Sequence, residues 1–275
     1  MDAKFHPAME AINANDADRL RALVEADPTL ATSRSTCSHP TLLQCVVLDA
    51  RDSPRQVDMI RILVDAGADV NAPLVAAAGM NNTVAIASLL DRGAAIDGTG
   101  GWSPLEEALY WNGASARDLL LQRGAKVRNL RIAAGLGRVD AMQTFFNADG
   151  SLRSEAGGVD WPWEDRSPKF GSFEQDRQAI LDNALVYACM HGHLDAAAFL
   201  LERGARLNTI PGGFDYAGTA LHYAAFNGHR AMVDFLLARG ADASIKDTKI
   251  GQTPASWADH ARHPEIRDLL MHHSR

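Results

Sequence analysis

Gly218-Thr219-Ala220-Leu221-His222-Tyr223-Ala224-Ala225-Phe226-Asn227-Gly228-His229 runs into Met232-Val233-Asp234-Phe235-Leu236-Leu237 and closes on Ala238-Arg239-Gly240-Ala241-Asp242. It reads as two short apolar runs of helical period, parted by an Asn-Gly turn and ended by a second glycine. Upstream, Ala184-Leu185-Val186-Tyr187-Ala188-Cys189-Met190-His191-Gly192-His193 leads to Phe199-Leu200-Leu201 and ends at Arg203-Gly204-Ala205. The same closing cadence returns at Gly67-Ala68-Asp69-Val70-Asn71, at Gly93-Ala94 and at Gly124-Ala125. A helix-turn-helix with a fixed ending is repeating along the chain, and a repeat decides architecture before any single helix does.

Each part of the unit has a physical reason. Small pairs such as Ala77-Ala78, Ala133-Ala134 and Ala224-Ala225 let helices of neighbouring units approach closely. Leucine pairs at 89–90, 120–121, 200–201 and 236–237 fill the space between layers at helical spacing. The glycine of each Gly-Ala ending accepts positive φ at a helix C-terminus. No unit buries its apolar face alone, so neighbours must stack.

This pattern resembles the ankyrin repeat family, whose units read roughly G-x-T-P-L-H-x-A-A-x-x-G-H, then an apolar helix, then L-L-x-x-G-A-D. The opening survives as Thr219-Ala220-Leu221-His222, Ser103-Pro104-Leu105-Glu106 and Thr253-Pro254-Ala255-Ser256. The Gly-His turn becomes Asn81-Asn82, Asn112-Gly113 and Gly137-Arg138, and asparagine tolerates the left-handed conformation that glycine otherwise supplies. The resemblance implies an all-α ankyrin-repeat solenoid of about eight helix-turn-helix units, with short β-turn fingers and one long insertion. Residues 1–275 then form a single array. An N-terminal cap spans 7–32, repeats two to five span 33–146, and an insertion loop spans 147–179. Repeats six and seven cover 180–245, and a C-terminal cap covers 246–275. Units three and five, starting at Pro73 and Asn129, have little room for a finger. Residues Asp49 to Gln56 swell the inter-helix turn of unit two.

The composition of the 275-residue chain narrows the function classes. Hydrophobic residues at 47% and charged residues at 22% describe a globular chain, not a disordered one. A net charge of −7 argues against nucleic acid and favours a basic partner. No apolar run reaches membrane-spanning length, and Met1-Asp2-Ala3-Lys4-Phe5-His6-Pro7 lacks the plan of a signal peptide. Three scattered cysteines make neither a disulfide framework nor a CxxC metal site. A cytoplasmic protein without cofactor or metal is expected. Aromatics are only 7% of the chain, yet five of them are Trp. That imbalance asks where the Trp residues go.

The insertion carries two of them, Trp161 and Trp163, beside Asp160 and Pro162. Its Gly, Pro, Ser and charge content argues against a regular element. The two Trp either close over a binding face as a lid or tether the loop to the scaffold.

Carried over position by position, the family's concave face implies candidates just before each Gly-His turn and on each finger. These are Tyr110, Trp111, Met190, His191, Phe226 and Asn227 on the helices, with Trp102, Asp215 and Tyr216 on fingers. Exposed aromatics at such positions mark binding surfaces, although Trp102 and Trp111 could equally fill space left by missing fingers. Trp257 reads as packing. Glu106, with Glu107 after it, either supplies acid–base chemistry beside Asp160 and the other acids or caps its helix. His193, His222 and His229 match structural positions of the family, and an i,i+2 His pair on a helix does not converge on one ion. Cys189 falls on a stacking alanine position. The implied function is a binding module holding a protein or peptide in an aromatic-lined groove. The alternative is a small-molecule-binding protein or enzyme with its pocket closed by 147–179, using acidic residues and His191. Catalytic residues are not identified by any motif.

Overall fold

A computed structural model describes residues 2–36, 40–100, 102–157 and 176–273. Among them all regular structure is helical; an isolated antiparallel bridge joins Phe146 to Leu152. The chain divides into two compact units, Met1–Lys126 and Val127–Arg275.

In the first unit the helices are α1 (His6–Asn13), α2 (Ala17–Ala26), α3 (Thr29–Thr32), α4 (Leu42–Asp49), α5 (Gln56–Asp65), α6 (Asn71–Gly79), α7 (Thr83–Leu90), α8 (Pro104–Tyr110) and α9 (Ala114–Gln122). One layer stacks α1, α4, α6 and α8 in order, and a second stacks α2, α5, α7 and α9. The second unit holds α10 (Leu130–Gly135), α11 (Val139–Gln143), α12 (Arg177–Met190), α13 (Leu194–Glu202), α14 (Ala220–Phe226), α15 (Arg230–Leu237), α16 (Pro254–His260) and α17 (Pro264–His273). Here α10, α12, α14 and α16 form the first layer, each antiparallel partner following in sequence. Both units are all-α helical stacks of the repeat type expected.

Local chemistry explains where each helix begins. Thr41 with Gln44, Ser103 with Glu106 and Thr219 with His222 form capping boxes, satisfying donors that a helix start leaves unpaired. Asp16 and Asn82 cap second helices through their side-chain oxygens. The inter-helix turns need a left-handed residue, and asparagine supplies it where glycine is missing: Asn81 has φ 53° and Asn112 has φ 55°.

Packing follows the alanine and leucine pattern. Ala77, Ala78, Ala133, Ala134, Ala224 and Ala225 are fully buried, so their helices meet almost backbone to backbone. The first leucine of each pair (Leu89, Leu120, Leu200, Leu236) is likewise fully buried, while the second stays half-buried. In the second unit an imidazole joins each repeat to the one before. His193 lies against Gly137 with its Nε2 3.1 Å from the Gly135 carbonyl, and His229 lies against Gly192 with its Nε2 2.9 Å from the Met190 carbonyl. Side chains also rung the turns together: Asp182 accepts from the Arg206 amide at 2.7 Å, and Asn208 from the Asp242 amide at 2.9 Å.

Candidate functional site

In the first unit the site grows from the start of α8. The Ser103–Glu106 capping box takes the Glu106 carboxylate, which accepts from the Ser103 amide and hydroxyl, both at 2.8 Å. One residue further, about 100° round the helix, Glu107 points elsewhere. Its Oε2 accepts the Trp102 indole N–H at 2.7 Å and its Oε1 accepts that of Trp111 at 2.9 Å. The i,i+4 spacing brings Trp111 over Glu107, and the loop before α8 brings Trp102 from the other side.

Room for this arrangement comes from α6. A β-carbon at Gly79 would sit 2.7 Å from Glu107 Oε1 and 3.1 Å from the Trp111 ring, so only glycine fits beneath the carboxylate. Glu107 is only 4% exposed. Burial pushes its carboxyl up to about 7, against the two indole bonds, which favour the ionised form. Tyr110 stands edge-on to both indoles, its ring 6.2 Å from Trp102 and 5.1 Å from Trp111. Trp102 is buried, Tyr110 half-buried, and Trp111 half exposed at 50%.

The second unit builds a larger aromatic group around Trp257. Its ring meets Tyr223 at 5.2 Å, His222 at 5.0 Å, Phe226 at 6.0 Å and Tyr216 at 6.2 Å, all near-perpendicular. The indole N–H donates to the Asp247 carboxylate at 3.0 Å. That carboxylate also accepts the amides of Lys249, Ile250 and Gln252 at 2.8–2.9 Å. Burial alone would raise the Asp247 carboxyl; these four donors outweigh it and hold it below the usual carboxylate range.

The folded 247–252 turn places Lys249 over the Tyr216 ring at 4.0 Å and beside Asp215 at 2.8 Å. Tyr216 and Phe226 remain 47% and 42% exposed, with Phe226 parallel to the His260 ring. Asp215, Asn227 and His191 are half-buried, and His191 stacks on His193 at 6.3 Å.

The structure thus separates the sequence candidates. Trp111, Tyr216 and Phe226 present large rings to solvent. Trp102 does not: its indole N–H is spent on buried Glu107 and its ring packs against Tyr110. Glu106 is fully buried in its capping box, so its expected place on a binding face is corrected to a structural one. Met190 is 3% exposed because α12 packs against both α10 and α14, and its carbonyl receives His229. Asp160, Trp161 and Trp163 lie outside the described residues, as does most of the insertion.

Two residues carry more than the sequence suggested. Glu107 was legible only as the acid after Glu106, although its i,i+4 relation to Trp111 is a signal. Asp247 has no motif, and only its four donors identify it.

Two further buried titratable groups, His222 and Cys189, read as structural. Burial pushes the His222 imidazole down and the Cys189 thiol well up. His222 Nδ1 accepts the Thr219 amide at 3.0 Å while its Nε2 faces the Gln252 carbonyl at 3.1 Å, so the ring is neutral with its proton on Nε2. Among the described residues no group of three or more His, Cys, Asp or Glu is placed to hold a metal ion, and no helix is long and apolar enough to cross a membrane. A cleft of about 360 Å³ lies where the swollen 49–56 turn meets the end of α1, lined by Asn15, Asp49, Arg51, Ser53 and Met80 among others.

Comparison with known proteins agrees with the architecture. Residues 172–247 match the family model for ankyrin repeats, in 3 copies. No curated protein matches the chain. The matched span contains α12 to α15, with their buried alanines, left-handed Gly192 and Gly228, and bridging imidazoles. Such repeats are in general protein–protein interaction modules, and residues 172–247 of this chain carry them.

Proposed function

We propose that the chain is a binding module that holds a protein or peptide partner against aromatic rings at the C-terminal ends of its first helices. The observation carrying this reading is the exposure of Trp111, Tyr216 and Phe226 in a chain whose cores are built on alanine and leucine. Trp111 and Phe226 each fall within the two positions before a left-handed turn residue, Asn112 in one unit and Gly228 in the other. Trp111 stands one residue before its turn residue and Phe226 two before, so each ring closes a first helix, one register step (about 100°) apart. Rings at such positions bring large contact area at low entropic cost, which is why Trp and Tyr dominate binding hot spots.

Chemistry supports recognition over catalysis at Glu107. Its two partners are indoles, which donate hydrogen bonds but exchange no protons near neutral pH. The net charge of −7 favours a basic partner.

The test is the double replacement Trp111→Ala with Phe226→Ala in the full chain. Removing two hot-spot rings should weaken capture of the partner from native extract by at least about 100-fold, while far-UV circular dichroism stays unchanged. Unfolding of the double variant would instead assign the rings to the core.

A further inference from the structure

Nothing in the binding role requires two indole N–H groups to converge on one buried carboxylate. A capping box accounts for Glu106, and packing accounts for Trp102, but Glu107 could have been any apolar residue. Instead α6 ends in a glycine whose missing side chain leaves room for the carboxylate and the Trp111 ring together. The geometry is specific, and it ties a half-exposed ring to a buried acid.

The two indoles differ in freedom. Trp102 is 6% exposed and held among neighbours, whereas Trp111 is 50% exposed and follows the last turn of α8. An ionised carboxylate accepts at both oxygens, and hydrogen bonds to it are about twice as strong as neutral ones. Once protonated, one oxygen becomes a hydroxyl, a poorer acceptor whose own proton needs a partner. The oxygen that can give up its indole is Oε1, because only Trp111 has solvent to swing into.

We propose that Glu107 is a proton-operated latch on Trp111, fixing the indole when the carboxylate is ionised and releasing it when the carboxylate is protonated. The surface offered at the end of α8 then differs on the two sides of the transition. Its consequence for partner binding rests on the proposed role of Trp111; the latch itself does not.

The neighbourhood lets this carboxylate titrate near neutral pH. Helix α6 brings no titratable side chain. From α9 come Arg117 and Asp118, paired with each other at 2.9 Å, and α8 itself adds Glu106, held in its cap, and Tyr110. Arg51 approaches only as far as the Met80 carbonyl, at 3.3 Å. Burial is the cause that raises the Glu107 carboxyl to about 7, opposed only by the two indoles. The proton arrives from solvent as pH falls through that value.

The experiment is ¹H–¹⁵N NMR of the five indole N–H groups in the full chain, over about pH 5.5 to 8.5. Trp111→Phe and Trp102→Phe assign the two signals. The Trp111 resonance should move upfield on acidification with a midpoint near 7, the Trp102 resonance moving far less. In Glu107→Gln the movement should vanish while the spectrum stays dispersed. Should that variant not fold, acrylamide quenching gives a second reading. Quenching of wild-type fluorescence should rise on acidification, and Trp111→Phe should remove the rise. A Trp111 resonance that is constant over this range, or the same movement in Glu107→Gln, overturns the latch. No partner is needed, so loss of the binding role would leave these signals, and loss of the latch would leave capture.

Discussion

Asp247→Ala is expected to destabilise the fold by about 2–4 kcal/mol, seen as a lower midpoint in urea unfolding followed by circular dichroism. Asp247 is buried, at 3% exposure, and its carboxylate is the acceptor for three backbone amides and the Trp257 indole. Leaving even two of those donors unpaired costs about 1–3 kcal/mol each, discounted because the Lys249 and Ile250 amide bonds are only part-buried. Trp257 would lose its anchor beneath Tyr216 and Phe226, so its fluorescence should report the same loss.

The pH dependence of this effect has a definite sign. The folded carboxyl lies below its ordinary value of 3.8, so its contribution is fully present above that value. It disappears as pH falls through the lower folded value. Wild type and variant should therefore converge in strong acid. A loss under about 0.5 kcal/mol at neutral pH would show that the 247–252 turn holds itself without the carboxylate.

Gly192→Ala is the second large effect, about 2–4 kcal/mol of destabilisation. At a compatible site the same change stabilises by about 0.4–1 kcal/mol through the unfolded chain, so the sign itself is informative. Here two costs oppose that gain. Gly192 has φ +73°, and a β-carbon would stand 2.9 Å from His229 Nδ1. The imidazole cannot retreat without giving up its bond to the Met190 carbonyl. Gly240 is the control: its φ is +86° but nothing lies within 4 Å of a built β-carbon. Gly240→Ala should therefore cost only the conformational part, about 1–2 kcal/mol. Equal losses at both sites would mean that the ring contact carries no weight.

The fold was legible because its signals are local. Positive φ at Asn81 and Asn112, the Ser103–Glu106 capping box and the buried alanine pairs all follow from neighbours along the chain. The site was less so. A register argument puts Trp111 and Phe226 at the ends of first helices, and that placement needs only the helical period. Whether a neighbouring large side chain is buried depends on what packs against it, which is why Trp102 and Met190 turn inward. Glu107 owes its character to Gly79 on α6, the Trp102 indole from a loop and the Trp111 indole at the end of its own helix, three partners that no single period relates. Asp247 is similar, gathering its donors through the shape of a turn.

The claim that the exposed first-helix rings are the partner's contact is tested most directly by site-specific photo-crosslinking. Trp111 and Phe226 would be replaced in turn by p-benzoylphenylalanine, with Val84 on α7 and Met271 on α17 as equally exposed comparison sites. Irradiation in native extract is predicted to give a discrete crosslinked protein from 111 and from 226, and none from 84 or 271. Crosslinks from 84 or 271 with none from 111 and 226 would place the binding surface on the second helices and contradict the account.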